Sequence, residues 1–134
     1  MMAEKFDVVV IGDLIEHLSN PGSMLACVNK HLPSDGMLII STPNPYTLDR
    51  SVRALFTSKQ PVNPEHTTLY TKETLSELLR RYGFVITNVF YTNENPDTNK
   101  FIGAKNAFLA RIVNLLKNSR PHFMETCVYI CRKT

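Results

Sequence analysis

The hydrophobic positions of the first part of the chain form short apolar runs separated by one helical pattern. Apolar, β-branched residues occupy every position from Val8 to Ile11, which is typical of a strand covered on both faces in a parallel α/β sheet. A second apolar run follows at residues 37–42. Between the two, Asn20 and Pro21 begin a segment with helical spacing that extends to about residue 32. The pattern predicts a β-α-β unit with a right-handed crossover.

The later part of the chain repeats this alternation. Thr71 precedes a helical stripe of leucines that ends before Gly83, and these two residue types are typical of a helix N-cap and of the C′ position. Strands are predicted at 84–91 and 126–131, with an amphipathic helix at 101–117 between them. The predicted fold class is therefore α/β.

Residues 44–70 interrupt the alternation. The segment contains three prolines and follows Pro43 directly, while a few apolar positions within it predict one short helix. Segments of this length in a compact domain often form lids or binding loops. We therefore predict a single domain over residues 1–134 with an inserted flap at 44–70.

Composition excludes several classes of protein. The net charge of +3, from 15 Lys and Arg against 12 Asp and Glu, is too small to indicate nucleic-acid binding, for which basic residues would cluster on one face. No apolar run reaches the roughly 20 residues of a transmembrane helix, and the first residues lack the pattern of a signal peptide. These features predict a cytoplasmic protein. Cys127 and Cys131 would lie about 13 Å apart along one strand, too far for a disulfide, and with Cys27 they are predicted to be small core residues.

Polar residues with catalytic potential come directly after the first strand. Asp13, Glu16 and His17 occupy the position where ligands bind in open α/β sheets, beyond the carboxyl ends of the strands. One helical turn there would place positions i, i+3 and i+4 on one face. The residues could act in acid–base chemistry or bind a metal, or Glu16 and His17 could simply begin a helix.

An ordered set of motifs gives the chain a family resemblance. It comprises the strand 6–12 leading into Glu16-His17-Leu18, Asn20-Pro21, Asp35-Gly36 ahead of Leu38–Asn44, Glu65-His66 ahead of Tyr70-Thr71, and Tyr82-Gly83-Phe84. Together these motifs resemble class I S-adenosylmethionine-dependent methyltransferases over essentially the whole chain. That family has a seven-stranded sheet with helices on both faces and an antiparallel last strand. The resemblance implies a partial Rossmann-like sheet, made of the fourth to the seventh strand.

The sequence also departs from this family. Methyltransferases of this class carry a glycine-rich turn after their first strand and an acidic residue after the second, whereas the five glycines here contain no G-x-G. We therefore expect a fragment, or half of a split enzyme, in which residues 6–11 form an open edge strand. A missing N-terminal half, or another chain, would pair with that edge.

The resemblance implies a methyl transfer from S-adenosylmethionine to a small-molecule acceptor, at an oxygen atom. Gly12, Asp13 and Leu14 would lie beside the methionine end of the cofactor, and Glu16 or His17 would act as the catalytic base. A different interpretation is a non-catalytic partner or regulatory subunit of another methyltransferase.

The resemblance also implies a divalent metal as a possible cofactor. Quinone-precursor O-methyltransferases and small-RNA 2′-O-methyltransferases place acidic, Glu and His ligands at positions that correspond here to Asp13, Glu16 and His17, and the latter group adds a later His, here His66. Imidazole and carboxylate ligands together suit Mn, Fe or Zn at least as well as Mg. The same spacing is the sole support for a third interpretation, RNA as the acceptor.

Overall fold

The computed structural model describes residues 4–48, 50, 63–93 and 107–134. Its strands are β1 (Val8–Gly12), β2 (Met37–Pro43), β3 (Phe84–Thr92) and β4 (Thr126–Lys133). Its helices include α1 (Pro21–His31), α2 (Lys72–Arg81) and α3 (Ala107–Ser119). A 3-10 turn at Ile15–His17 follows β1, and a second one at Pro121–Phe123 precedes β4.

The four strands form one mixed sheet in the order β1-β2-β4-β3. β1 and β2 are parallel, and β4 lies antiparallel to both β2 and β3. This arrangement confirms the predicted β-α-β unit and the antiparallel last strand. The carboxyl ends of β1, β2 and β3 and the start of β4 consequently share one edge of the sheet, which we call the carboxyl edge.

Local sequence signals fix both ends of α1 and α2. The Asn20 side chain accepts a hydrogen bond from the Ser23 N–H at 3.1 Å, and the Thr71 side chain accepts one from the Thr74 N–H at 3.2 Å. Gly83 follows α2 with a φ of 77°, a left-handed conformation in which a Cβ would be strained. The predictions for these two helices are confirmed.

One face of the sheet packs against α1 and α2. The buried residues include Leu25 of α1 and Leu75 and Leu79 of α2, together with inward-facing positions of the strands. In the strands these positions alternate as expected for a sheet; they are Ile11, Leu38, Ile40, Phe84, Cys127, Tyr129 and Cys131. This layer is the core.

The opposite face of the sheet differs from the prediction. Val8 is 46% exposed and Val10 67% exposed, so the expectation that β1 is covered on both faces was wrong for the described part of the chain. Val85 and Phe90 lie on the same face of the sheet as Val8 and Val10, because across the paired strands their positions fall between those of the buried residues. Both side chains are exposed. Within the described ranges this apolar surface is not covered by a helix, so the predicted helices on both faces of the sheet are not seen there.

Several predicted features fall partly outside the described residues. Most of the predicted helix in the flap lies within 51–62, and the first residues of the predicted helix 101–117 lie outside as well. Cys127 and Cys131 are buried as predicted, but Cys27 is exposed, so its assignment to the core was wrong. None of the helices in the described ranges combines the length and apolarity needed to cross a membrane.

Candidate functional site

The chain leaves β1 through a residue in an unusual conformation. Asp13 has a φ of 44°, which Asp tolerates better than most residues. Its N–H donates to Ser41 of β2, and the Ser41 hydroxyl donates to the Asp13 Oδ1 at 3.0 Å. Gly12, Asp13 and Leu14 are all exposed at this point, so the end of β1 is accessible to a ligand.

The 3-10 turn that carries Glu16 and His17 is held by distant residues. Its N-cap, Leu14, offers no side-chain hydrogen bond. Instead the Glu16 carbonyl accepts hydrogen bonds from the Thr67 N–H at 2.8 Å and the Thr68 N–H at 3.3 Å. The Thr67 hydroxyl also lies 2.9 Å from this carbonyl. The segment around Thr67 therefore positions the turn.

The Glu16 side chain is fully buried, with a relative exposure of 0%. Its Oε2 accepts a hydrogen bond from the Thr42 hydroxyl at 3.1 Å. Its Oε1 is also buried, and no described residue lies within hydrogen-bonding distance of it. Burying a carboxylate oxygen without a partner is unfavourable, so this oxygen of Glu16 opposes folding rather than stabilising the fold.

Two histidine rings lie beside this carboxylate. His17 Nδ1 is 3.1 Å from the Glu65 carbonyl oxygen; because a carbonyl only accepts, Nδ1 donates and the neutral ring keeps its lone pair on Nε2. The rings of His17 and His66 meet edge to face with centroids 4.7 Å apart. His66 Nδ1 is buried without a partner among the described residues, and its Nε2 lies 3.3 Å from Asn63 Nδ2.

Glu16, His17 and His66 form what we call the EHH cluster. One potential ligand atom of each residue lies within 4.8 Å of those of the other two. The structure thus brings together three of the four residues predicted to act on a metal, although His66 is far away in the sequence. Asp13 does not join them, since its carboxylate bonds to Ser41. Sequence reasoning missed Thr42 and Thr67, because no local pattern links them to Glu16.

The sequence that carries most of this site matches a known family of proteins. The family model for a methyltransferase domain matches residues 2–89, which is more than half of the chain. The chain belongs to the S-adenosylmethionine-dependent methyltransferase family. It follows that Gly12 to His17 lie within the matched part of a methyltransferase domain, at the carboxyl edge of its Rossmann-like sheet.

Solved structures of methyltransferases share the fold. A methyltransferase from Archaeoglobus fulgidus is 19% identical, with a TM-score of 0.60, over 99% of this chain and 62% of that one. An O-methyltransferase from a Brevibacillus brevis polyketide synthase, in complex with S-adenosylhomocysteine, is 16% identical, with a TM-score of 0.56, over 98% of this chain and 45% of that one.

A third similar chain comes from the Haloferax volcanii complex between the methyltransferase activator Trm112 and a methyltransferase. It is 10% identical, with a TM-score of 0.62, over 98% of this chain and 55% of that one. The present chain therefore spans less than two thirds of each of these three structures. No curated protein matches its sequence.

Proposed function

We propose that this chain is the acceptor-side part of a methyltransferase that moves a methyl group from S-adenosylmethionine to a hydroxyl of a small molecule. The observation that carries the proposal is the EHH cluster, a buried carboxylate and two imidazoles directly after β1. The O-methyltransferase among the similar structures supports oxygen as the methylated atom.

The cofactor would bind at the end of β1. Gly12, Asp13 and Leu14 are exposed there, and ligands of open α/β sheets occupy this crevice. Gly12 suits a close approach because it has no side chain; a Cβ built there would make an ordinary van der Waals contact with the Ser41 Oγ at 3.8 Å. These three residues are proposed to contact the methionine end of S-adenosylmethionine.

In the reaction the acceptor oxygen attacks the methyl carbon of the sulfonium. A new C–O bond forms, the C–S bond breaks, and its electron pair remains on sulfur to give S-adenosylhomocysteine. The hydroxyl proton passes to Glu16 or to the Nε2 of His17, which carries the lone pair. Such a base typically contributes about 10²–10⁴-fold in rate, while alignment of the two reactants contributes the rest.

A divalent metal is a second candidate for the role of the EHH cluster. One carboxylate and two imidazoles are a ligand set for Zn, Mn or Fe. The donor atoms bound to one tetrahedral ion are roughly 3.4 Å apart. The ligand atoms of the EHH cluster lie within 4.8 Å of one another, so they would need to move closer together by about 1 Å to bind one ion. A bound cation would supply a positive charge that lowers the proton affinity of the acceptor hydroxyl. Asp13 is not needed in this set.

The remaining strands of the domain would pair with β1. The Asp7 carbonyl and the Asp13 N–H bond to β2, and main-chain groups alternate in direction along a strand. The main-chain N–H and C=O groups of Val8, Val10 and Gly12 therefore point toward the open edge. We propose that this edge receives a strand from the rest of a methyltransferase domain, on the same chain or on another one. If the partner supplies its own site, this chain is a non-catalytic subunit.

Calorimetry with S-adenosylmethionine separates these alternatives. We expect binding when the chain is complemented with a methyltransferase fragment that carries the glycine-rich turn and a strand able to pair with β1. Micromolar binding by this chain alone would contradict the need for a partner. Absence of binding by both the chain and the mixture would contradict the proposed cofactor site.

Activity of the complemented protein tests the chemistry. Radiolabelled methyl transfer to a panel of hydroxyl compounds should fall by about 10²–10⁴-fold in Glu16→Gln. Glu77→Gln, on the exposed surface of α2, is the matched control and should retain activity. Activity that a chelator abolishes and Zn²⁺ or Mn²⁺ restores would support the metal, whereas resistance to chelation would favour a direct base. Equal activity of the two variants would contradict both roles.

A further inference from the structure

A cavity of about 240 Å³ opens at the carboxyl edge of the sheet. It lies between the end of β2, the first turn of α2 and the start of β4. Asn44 shapes its rim: the Asn44 side chain donates hydrogen bonds to the carbonyls of His122 and Met124, both at 2.7 Å. These bonds hold the second 3-10 turn against the sheet. The cavity lies between this turn and the start of α2.

Aromatic side chains form much of the cavity wall. Tyr91 of β3, Tyr129 of β4 and Phe123 of the second 3-10 turn all contribute, and Tyr46 and His122 lie at the rim. The Phe123 and His122 rings are in contact, with centroids 4.3 Å apart. Flat aromatic walls favour a planar ring, because stacked or edge-to-face rings gain energy beyond the area that they bury.

A carboxylate provides the polar end of the cavity. Glu73 lies in the first turn of α2 and lines the cavity with Thr71. Hydrogen bonds from its own backbone N–H and from the Thr71 side chain lower the pKa of Glu73, so this carboxylate is ionised at neutral pH. An ionised carboxylate only accepts hydrogen bonds, which suits a ligand that carries a donor such as a hydroxyl.

The position of the cavity links it to the proposed chemistry. Cys127, which lines the cavity, is the partner of Thr42 across β2 and β4, and Thr42 donates to Glu16. Neighbouring strands are roughly 4.8 Å apart. A ring in the cavity is therefore only about one strand away from the residue that holds the buried carboxylate.

We propose that this cavity is the acceptor subsite and that it binds the ring of a planar aromatic compound of one or two rings, which carries a hydrogen-bond donor for Glu73 in addition to the hydroxyl that is methylated. Its volume is below the roughly 300–1,000 Å³ of sites for drug-sized ligands, which limits the number of rings. The inference rests on the proposed function for the role of the ligand as acceptor, but the binding itself does not require methyl transfer.

Binding of 2-naphthol to the chain, followed by NMR, tests the inference. We compare it with 2-decalol, which has the same carbon skeleton and hydroxyl but no flat ring. The naphthol should shift the signals of Tyr91 and Phe123, and the decalol should bind at least about threefold more weakly. Equal binding of the two compounds, or shifts confined to residues outside the cavity, would overturn the inference.

Variants locate the site within the protein. Glu73→Gln should weaken 2-naphthol binding by about tenfold, since hydrogen bonds to a charged group are the stronger ones, while Glu77→Gln, one turn further along α2, should not change it. Tyr91→Leu should weaken binding by about threefold to tenfold. An equal effect of the two glutamate variants would overturn the inference even if Tyr91→Leu proved too unstable to study.

The two proposals fail in different ways. If 2-naphthol binds as described but the complemented protein transfers no methyl group to it or to related phenols, the proposed function fails and the aromatic site stands. If methyl transfer proceeds on aliphatic alcohols and no aromatic hydroxyl compound binds, the proposed function stands and the aromatic site fails.

Discussion

Helix α2 begins at the carboxyl edge, where the 3-10 turn at Ile15–His17 also lies, but different interactions stabilise the two elements. In α2 the cap at Thr71, the ion pairs from Glu77 to Arg80 and Arg81, and Gly83 all come from its own sequence. The turn has no such cap and depends on Thr67 and Thr68, about 50 positions later in the chain.

The difference separates a part of the protein that creates stability from the part that we propose carries the chemistry. α2 buries Leu75 and Leu79 completely, and such burial is the main source of folding energy. The turn buries Glu16 with one oxygen unpaired, which opposes folding. We therefore expect substitutions of the buried leucines of α2 to reduce the free energy of unfolding, and substitutions of Glu16 or His17 to change mainly the site.

Leu79→Ala should produce the largest loss of stability. Leu79 is fully buried between α2 and the sheet, and removing its side chain leaves a cavity, so the free energy of unfolding should fall by about 2–5 kcal/mol. Urea unfolding followed by circular dichroism measures it. Leu78→Ala, at a half-buried position of the same helix, should cost clearly less. A similar loss for both would show that α2 does not dock as described.

Thr71→Ala should have the next largest effect. The Thr71 side chain caps α2, and its own N–H donates to Thr74 Oγ1 at 2.9 Å in a reciprocal capping box. Loss of an N-cap costs about 0.5–2 kcal/mol, as measured by the same unfolding curves. Thr71→Asn, which keeps a capping oxygen, should restore most of the loss. If it does not, capping is not what stabilises the start of α2.

Thr67→Val should lower the free energy of unfolding by about 0.5–1.5 kcal/mol, the net contribution of one hydrogen bond. The Thr67 hydroxyl lies 2.9 Å from the Glu16 carbonyl and 3.1 Å from the Leu18 carbonyl. Because it holds the turn, its loss should also shift the imidazole NMR signals of His17. Thr67→Ser keeps the hydroxyl and should behave like the wild type. Unchanged His17 signals in the valine variant would disprove this role for Thr67.

The reactivity of the cysteines should distinguish the core from the surface. No change in stability is expected at neutral pH. Burial raises the pKa of Cys131 to about 12 and also raises that of Cys127, whereas Cys27 is exposed. At pH 8 iodoacetamide should modify Cys27 at least about tenfold faster than the other two, because the thiolate is the reactive form. Mass spectrometry identifies the modified residue, and equal rates would show that β4 opens readily.

The same shifts predict a loss of stability in alkali. An unfolded thiol has a pKa near 8.5, so above that pH the unfolded state releases protons that the folded state retains. The unfolded state is thereby favoured. The free energy of unfolding should decrease from about pH 9 toward pH 12, and Cys131→Ala should reduce the slope. An unchanged slope would mean that other groups cause the alkaline loss.

The helices and strands were largely predictable because their signals are local. The β-branched run of β1 and the leucine stripe of α2, with Thr71 before it and Gly83 after it, each lie within one segment of the chain. A helix or strand that buries one face repeats its apolar residues with the period of that element. These segments lie close to where the pattern predicted them. The same motifs carried the family resemblance, which the family match confirms.

The tertiary structure alone decided which polar groups meet. Asp13 and His66 are both plausible partners of Glu16 in the sequence, but the left-handed turn at Asp13 directs its carboxylate to Ser41, while the segment after residue 63 brings His66 to His17. The exposure of Val8 and Val10 and the aromatic cavity likewise depend on which elements pack together. Side-chain periodicity determines the faces of each element, whereas contacts between distant segments depend on the packing of the whole chain.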